Sequence, residues 1–202
     1  MWANSCYREL MSTQLTREAE GLDRRAFTVE EVERMLETGI LDWDDKFELI
    51  GGEIVPMSPQ NTPHLVIKSR LARWLGAALD TAYDVGVDGT VKISAEHLFE
   101  PDVFVARRLD ASKRGFVGIA DALLVIEVAE TTLKRDMGVK ARAYAKAGLA
   151  ELWVVDLKAR VTHVHREPGE KGYAAIIPVA FDAALTPVAF AAPALMVAEL
   201  ER

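Results

Sequence analysis

Two acidic residues occupy positions where an unpaired carboxylate would be energetically costly. Glu127 follows the apolar residues 123–126, a run typical of a buried central strand. Asp102 precedes a second apolar run at residues 103–106. A buried carboxylate must be paired, bound to a metal ion or shifted in pKa. Two acids at the ends of neighbouring strands can hold one hard cation through oxygen, so the pair predicts a divalent-metal site. The alternative is a capping Asp102 and a buried, salt-bridged Glu127.

A third group of ionisable residues follows Glu127. Asp136, Lys140 and Tyr144 are spaced by four residues, which places them on one face of a predicted helix. Taken alone, this spacing favours a solvent-exposed ion pair that contributes little to stability.

The remaining candidates have both functional and structural interpretations. His64, near a predicted helix start, is a candidate metal ligand or proton carrier, or a capped surface histidine. Glu48 and Glu53 share one face of a predicted hairpin and fit its solvent face equally well. His163 and His165 alternate along a predicted edge strand, and we interpret both as structural or exposed.

The elements that position these residues follow from hydrophobic periodicity and turn chemistry. Residues 47–50 and 53–55 flank Gly51-Gly52, which predicts a hairpin with Ile50 opposite Glu53 and Glu48 opposite Val55. Thr28 begins a capping box, and Thr62 followed by Pro63 is expected to start a second helix that ends near residue 82.

The rest of the chain alternates between strand and helix patterns. Strands are predicted at 90–93, 101–106, 123–128, 152–155, 161–165 and 173–179, with a helix at 133–147 and a last strand or edge cover within 181–200. This order predicts an α/β (α+β) fold with a mixed central sheet flanked by helices. We expect residues 1–25 to form a loosely ordered extension and residues 26–202 to form a single domain.

Composition restricts the possible classes of protein. The 202-residue chain has a formal net charge of −7, but residues 60–150 carry 13 Lys and Arg against 11 Asp and Glu. The acidic balance therefore does not exclude DNA binding by that segment. No apolar run is long enough to span a bilayer, the N-terminal residues are not typical of a signal peptide, and the single cysteine excludes an internal disulfide. These features favour a cytoplasmic protein. Phosphate loops, dinucleotide fingerprints and zinc-protease motifs are absent from the sequence.

Taken together, residues 27–175 resemble the Uma2 family (DUF820) of restriction-endonuclease-like proteins, which have the PD-(D/E)XK nuclease fold. The resemblance is carried by short motifs in order: residues 47–54, 56–59, His64, 101–103, 126–128, Asp136, Lys140, Tyr144, Gly148 and 151–156. It implies a restriction-endonuclease-like core.

The resemblance assigns roles to several of these residues. Asp102 and Glu127 would be the two acids of the nuclease motif, and the Val128 carbonyl would be a further metal ligand. Ala129 stands where the superfamily usually has lysine, and the family pattern implies that Lys140 projects into the same space. His64 and Glu53 are then candidates for supporting the metal ligands or a second cation site.

The predicted function is a Mg²⁺- or Mn²⁺-dependent endonuclease that acts on DNA. Bound Mg²⁺ would activate water, and Lys140 would orient it or stabilise the phosphorane. Phosphates would be contacted by basic residues: Lys68, Arg70, Arg73, Arg107, Arg108, Lys134 and Arg142. An apolar tail and the region around Trp153 suggest a homodimer. Two alternatives remain, a non-catalytic binding or assembly module, which Ala129 and the acidic charge favour, and an enzyme acting on another phosphodiester or nucleotide.

Overall fold

The computed structural model of the chain describes residues 15–16 and 24–202. The predicted N-terminal extension at residues 1–25 lies mostly outside the described residues. Its described parts are two short antiparallel strands, β1 (Leu15–Thr16) and β2 (Arg24–Arg25).

Helices and strands alternate along the rest of the described chain. The N-terminal half contains α1 (Val29–Glu37), β3 (Phe47–Ile50), β4 (Glu53–Pro56), α2 (Thr62–Ala78), β5 (Tyr83–Val87), β6 (Val91–Ser94), β7 (His97–Phe99) and β8 (Val103–Arg107). The C-terminal half contains β9 (Val117–Gly118), a 3₁₀ turn (Ile119–Asp121), β10 (Ala122–Ala129), the composite helix α3 (133–146), β11 (Glu151–Asp156), β12 (Val161–Gly169), β13 (Gly172–Ala180) and a 3₁₀ helix (Val197–Glu201).

The central element is a six-stranded mixed sheet with strand order β13-β12-β11-β10-β8-β5. β10 pairs parallel with β11 and antiparallel with β8, and the other pairs are antiparallel. β10 and β11 are buried on both faces, which explains their nearly continuous apolar sequences. This sheet and its flanking helices confirm the predicted mixed α/β class.

A smaller sheet with order β4-β3-β7-β6-β9 packs beside the first. Its hairpin has the predicted register, Ile50 opposite Glu53 and Glu48 opposite Val55. Both turn glycines have positive φ angles, +60° for Gly51 and +81° for Gly52. A side chain at Gly52 would also lie 2.6 Å from the Ala26 Cβ, so the turn requires glycine for space as well as conformation.

The two N-terminal helices begin at side-chain caps. Thr28 and Glu31 form the predicted capping box of α1. The prediction that Thr62 caps α2 is wrong, because the Asn61 side chain accepts from the His64 N–H and Thr62 is already helical. The helix also ends at Ala78 rather than near residue 82, since Leu79 adopts extended backbone angles.

α3 is not a uniform α-helix. It consists of an α-helical turn (Leu133–Arg135), a π-helical segment (Asp136–Lys140) and an α-helical segment (Ala141–Lys146). The prediction of an exposed ion pair on this helix is wrong, because Asp136, Lys140 and Tyr144 are each at most 2% exposed.

The C-terminal tail forms no further strand, only a bridge between Leu185 and Leu195. Six of its apolar residues belong to the core cluster that α2 and the sheet share: Phe181, Leu185, Phe190, Leu195, Val197 and Leu200. Trp153 is also completely buried, whereas Val188 and Met196 are exposed. Most of the apolar side chains used to predict a homodimer are therefore internal. No helix among the described residues is long and apolar enough to cross a bilayer.

Candidate active site

The two predicted acids lie side by side at one edge of the six-stranded sheet. Ile126 pairs with Val103 in the antiparallel β10–β8 ladder. One further step of this register places Glu127 opposite Asp102, and directly opposed residues point to the same face of a sheet. Both carboxylates line one cleft, together with Val128.

Asp102 is 7% exposed and both of its oxygen atoms are hydrogen bonded. Oδ2 accepts from the Val128 backbone N–H at 2.7 Å, and Oδ1 lies 2.7 Å from His64 Nε2. The Gln60 side-chain amide is a more distant donor, 3.4 Å from Oδ1. The Val128 contact ties the carboxylate to the strand that carries Glu127, so the two acids are held at a fixed separation.

Glu127 has fewer donors and more acidic neighbours. Its Oε1 accepts from the Tyr144 hydroxyl at 2.8 Å and lies 2.7 Å from Lys140 Nζ. Burial raises the pKa of Glu127 to about 8; Lys140 lowers it, and the charges of Asp136, Asp102 and Glu48 raise it further. A cation bound beside Glu127 would oppose this shift and favour the ionised carboxylate.

Lys140 links the two sheets through its ammonium group. Nζ lies 2.7 Å from Glu127 Oε1 on the large sheet and 2.8 Å from Glu48 Oε1 on the small sheet. It also lies 5.3 Å from the centre of the Phe99 ring. Burial lowers the pKa of Lys140, but Glu127, Glu48 and Asp136 together raise it above its ordinary value, so the side chain stays charged.

Glu48 is the residue that sequence reasoning assigned least firmly. It is 1% exposed, and its Oε1 accepts from Lys140 and from the Glu100 backbone N–H at 3.1 Å. The interpretation of Glu48 as a solvent-face residue is wrong. No local signal marks this burial, because Glu48 and Leu49 are both buried although they point to opposite faces of the strand, and the face with Glu48 packs against the cleft.

The hairpin glutamates differ in position. Glu53 is partly exposed and does not line the cleft, whereas Glu48, on the same hairpin face, does. His64 does line the cleft, through its contact with Asp102. The structure thus brings together Asp102, Glu127, Val128, Lys140 and His64 and leaves Glu53 apart.

The basic residues predicted to contact phosphate do not line the cleft: Lys68, Arg70, Arg73, Arg107, Arg108, Lys134 and Arg142. Lys68 is 3% exposed and donates to both oxygen atoms of Asp88, at 2.9 and 2.8 Å, so its ammonium does not face solvent. Arg70 donates to the carbonyls of Leu200 and Arg202. The other five are exposed, and Arg107 and Arg108 lie at the end of β8 opposite Asp102.

The cleft has the charge and the donor atoms for a hard cation. Six carboxylates line it, against the permanent cations Lys140 and Arg135: Glu48, Glu100, Asp102, Glu127, Glu130 and Asp136. This excess of buried negative charge fits a divalent ion bound through oxygen. Within the described residues no three His, Cys, Asp or Glu side chains are grouped as a complete metal site.

Comparison with known proteins relates the whole arrangement to one family. The family model of Uma2, described as "Putative restriction endonuclease", matches residues 29–195. The fold is similar to the crystal structure of a protein from Anabaena variabilis, "a putative nuclease belonging to DUF820". The TM-score is 0.69 with 16% sequence identity, over 86% of this chain and 97% of that chain. No curated protein matches the chain significantly.

Proposed function

Because the chain belongs to the Uma2 family, with the family match covering residues 29–195, we propose that it is a metal-dependent endonuclease that hydrolyses DNA phosphodiester bonds. The observation that carries this proposal is the convergence of Asp102, Glu127 and Lys140 in one cleft. Phosphodiester hydrolysis needs an activated water molecule and positive charge near the phosphate. A metal ion held by Asp102 and Glu127 would activate the water, and Lys140 would add positive charge.

We propose that Asp102, Glu127 and the Val128 carbonyl hold Mg²⁺ or Mn²⁺. When bound, the ion would lower the pKa of water and offset charge on the phosphate. His64 and the Val128 N–H orient Asp102, and Tyr144 orients Glu127. Such supporting hydrogen bonds fix the direction of the ligand oxygens.

Lys140 takes the role of the lysine that the superfamily usually carries at the position of Ala129. Ala129 is completely buried in β10 and has no side chain that could reach the cleft. The Lys140 ammonium instead reaches Glu127 from α3 and is held by Glu48. Its fixed positive charge would stabilise the charge that develops on the phosphate in the transition state.

The proposal is tested by cleavage of supercoiled plasmid DNA in Mg²⁺ or Mn²⁺. We expect wild-type protein to nick the plasmid, and Asp102→Asn and Glu127→Gln to lose about 10²–10³-fold in rate. Lys113→Gln is the matched control, because Lys113 is exposed and lies outside the cleft. Chelation of the metal with EDTA should abolish cleavage.

Two results would contradict the proposal. Cleavage that persists unchanged in both acid variants would exclude this cleft as the active site. A wild-type protein that binds Mg²⁺ in calorimetry yet cuts neither plasmid nor single-stranded DNA would instead support a non-catalytic binding module.

A homodimer in the cytoplasm is part of the same proposal. Support for self-association comes from β13, an edge strand on which Ile176 and Ile177 are 50% and 44% exposed. Sedimentation velocity of wild-type protein and of Ile176→Lys tests it. A monomeric wild-type protein at micromolar concentration would contradict the homodimer.

A further inference from the structure

The cleft contains a second cation, Arg135, that sequence reasoning did not select. Arg135 lies at the end of the first turn of α3, and its side chain is 30% exposed. It lines the cleft beside Glu48 and Asp136, whereas its neighbour Lys134 is exposed and does not. The position is therefore specific to Arg135 rather than shared by the local basic sequence.

The Arg135 guanidinium makes no hydrogen bond to any described residue. Its two nearest acidic oxygen atoms lie just beyond hydrogen-bond distance: Glu48 Oε2 is 3.8 Å from Nη2, and Asp136 Oδ1 is 3.9 Å from Nε. Nε is buried without a hydrogen-bond partner among the described residues, as are the two facing oxygen atoms, Glu48 Oε2 and Asp136 Oδ1. Buried donors normally form hydrogen bonds, so this guanidinium has donors available for an oxygen ligand in the cleft.

Lys140, the other permanent cation of the cleft, is less available to bind a phosphate oxygen directly. Its ammonium already contacts both Glu127 and Glu48 and is only 2% exposed. Among the described residues that line the cleft, Arg135 is thus the permanent cation whose ion pairs include no hydrogen bond. The planar guanidinium matches phosphate oxygens better than any other side chain, because it can donate two parallel hydrogen bonds.

We infer that Arg135 binds a phosphate group of the DNA backbone inside the cleft and so sets where the scissile bond lies. This inference rests on the proposed function for the identity of its ligand. Glu48 and Asp136, on either side, hold the guanidinium in place without consuming its hydrogen bonds. Arg135 would offset the repulsion that the cleft carboxylates exert on an incoming phosphate.

The test compares Arg135→Gln with Lys146→Gln, which removes the same charge from an exposed residue of α3 outside the cleft. The probe is a fluorescein-labelled 20-base-pair duplex, with binding followed by fluorescence anisotropy in Ca²⁺ and integrity of the duplex checked on gels. We expect Arg135→Gln to weaken binding about tenfold or more and Lys146→Gln to change it less than about twofold. Arg135→Lys should fall between them, because lysine keeps the charge but loses the paired hydrogen bonds. Should Arg135→Gln fail to fold by circular dichroism, the comparison rests on Arg135→Lys.

Each outcome decides one of the two ideas. Equal loss of binding in Arg135→Gln and Lys146→Gln, or no loss in either, overturns the inference while leaving plasmid cleavage to test the enzyme. A selective loss in Arg135→Gln supports the inference even where wild-type protein fails to cut plasmid in Mg²⁺, and that failure would count against hydrolysis alone. A wild-type protein that does not bind the duplex overturns the inference together with the assignment of DNA as the ligand.

Discussion

Glu127 and Glu151 are buried glutamates on two adjacent parallel strands, β10 and β11, yet their surroundings differ. Glu151 accepts four hydrogen bonds: from Trp153 Nε1 at 2.9 Å, from Arg166 Nε and Nη2 at 3.0 and 2.7 Å, and from the Val188 N–H at 2.8 Å. Glu127 has Tyr144 and Lys140 at a single oxygen and several carboxylates nearby. The number of donors, rather than burial, separates a structural carboxylate from one that is available for chemistry.

The largest expected effect is at the structural site. Glu151→Gln replaces a charged acceptor with a neutral amide. In either orientation of that amide, its NH₂ group would face a hydrogen-bond donor instead of accepting from it. We expect a loss of about 3–5 kcal/mol in the free energy of unfolding, the usual cost of removing one member of a buried ion pair. Urea denaturation measures it, with the exposed Glu170→Gln as control. A loss below about 1 kcal/mol would contradict the structural assignment.

The same substitution at Glu127 should affect stability much less. Glu127→Gln removes one of several mutually repelling carboxylates, and Lys140 retains Glu48 as a close partner. We expect the free energy of unfolding without metal to change by less than about 1 kcal/mol, because lost attraction and relieved repulsion offset each other. The measurement is again urea denaturation. Equal destabilisation by Glu127→Gln and Glu151→Gln would remove the distinction between the two sites.

A divalent metal ion should bind in the cleft with Glu127 and not at Glu151, and its binding should raise the free energy of unfolding. At 100 times its dissociation constant, an ion that binds only the folded state adds about 2.7 kcal/mol. For a chain of this size that corresponds to a rise of roughly 5–10 °C in Tm in Mg²⁺. Thermal denaturation of the wild type, Asp102→Asn and Glu170→Gln checks it. The rise should vanish in Asp102→Asn and remain in Glu170→Gln; a rise in all three would place the ion elsewhere.

A smaller effect concerns His165 on β12, next to β11. His165 is completely buried, its Nδ1 lies 3.0 Å from the His163 carbonyl and its Nε2 has no hydrogen-bond partner in the part of the chain that the structure describes. Burial lowers the pKa of His165, so the unfolded chain binds the proton more readily than the folded one. Stability is therefore present above the unfolded pKa of about 6.5 and is lost as the pH falls below it, by at most about 1.4 kcal/mol per pH unit.

Unfolding free energies at pH 7.5 and 5.5 test this pH dependence. His165→Leu should lose less stability than wild-type protein over this interval, whereas His163→Leu, at a partly exposed position, should behave like wild type. Identical pH dependence in the wild type and His165→Leu would show that other groups cause the acid sensitivity.

Local signals predicted the parts of the fold that are determined by neighbouring residues. The hairpin register follows from Gly51-Gly52, and the start of α1 follows from the Thr28–Glu31 capping box. β5 was not predicted, because Asp84 and Gly86 interrupt its pattern. Gly86 is needed there since a Cβ would lie 2.2 Å from the Phe104 ring, a contact formed by a residue distant in the sequence.

The candidate site was likewise predictable only where strand composition or the family resemblance identifies its residues. The positions of Asp102 and Glu127 follow from strand composition, and the family resemblance added Lys140. The contact between Glu48 and Lys140 depends on how the small sheet packs against α3. The same packing sets the distance between Arg135 and Glu48, which is too long for a hydrogen bond. The π-helical segment Asp136–Lys140 is a further tertiary feature, because no residue type in it specifies hydrogen bonds between residues i and i+5.

The Lys140 ammonium connects three elements of the fold. One contact is to the large sheet, one is to the small sheet, and the side chain itself comes from a helix. A displacement of the hairpin that carries Glu48 would therefore move the Lys140 ammonium relative to Glu127. Such a displacement would change the electrostatic environment of the cleft without any ligand entering it.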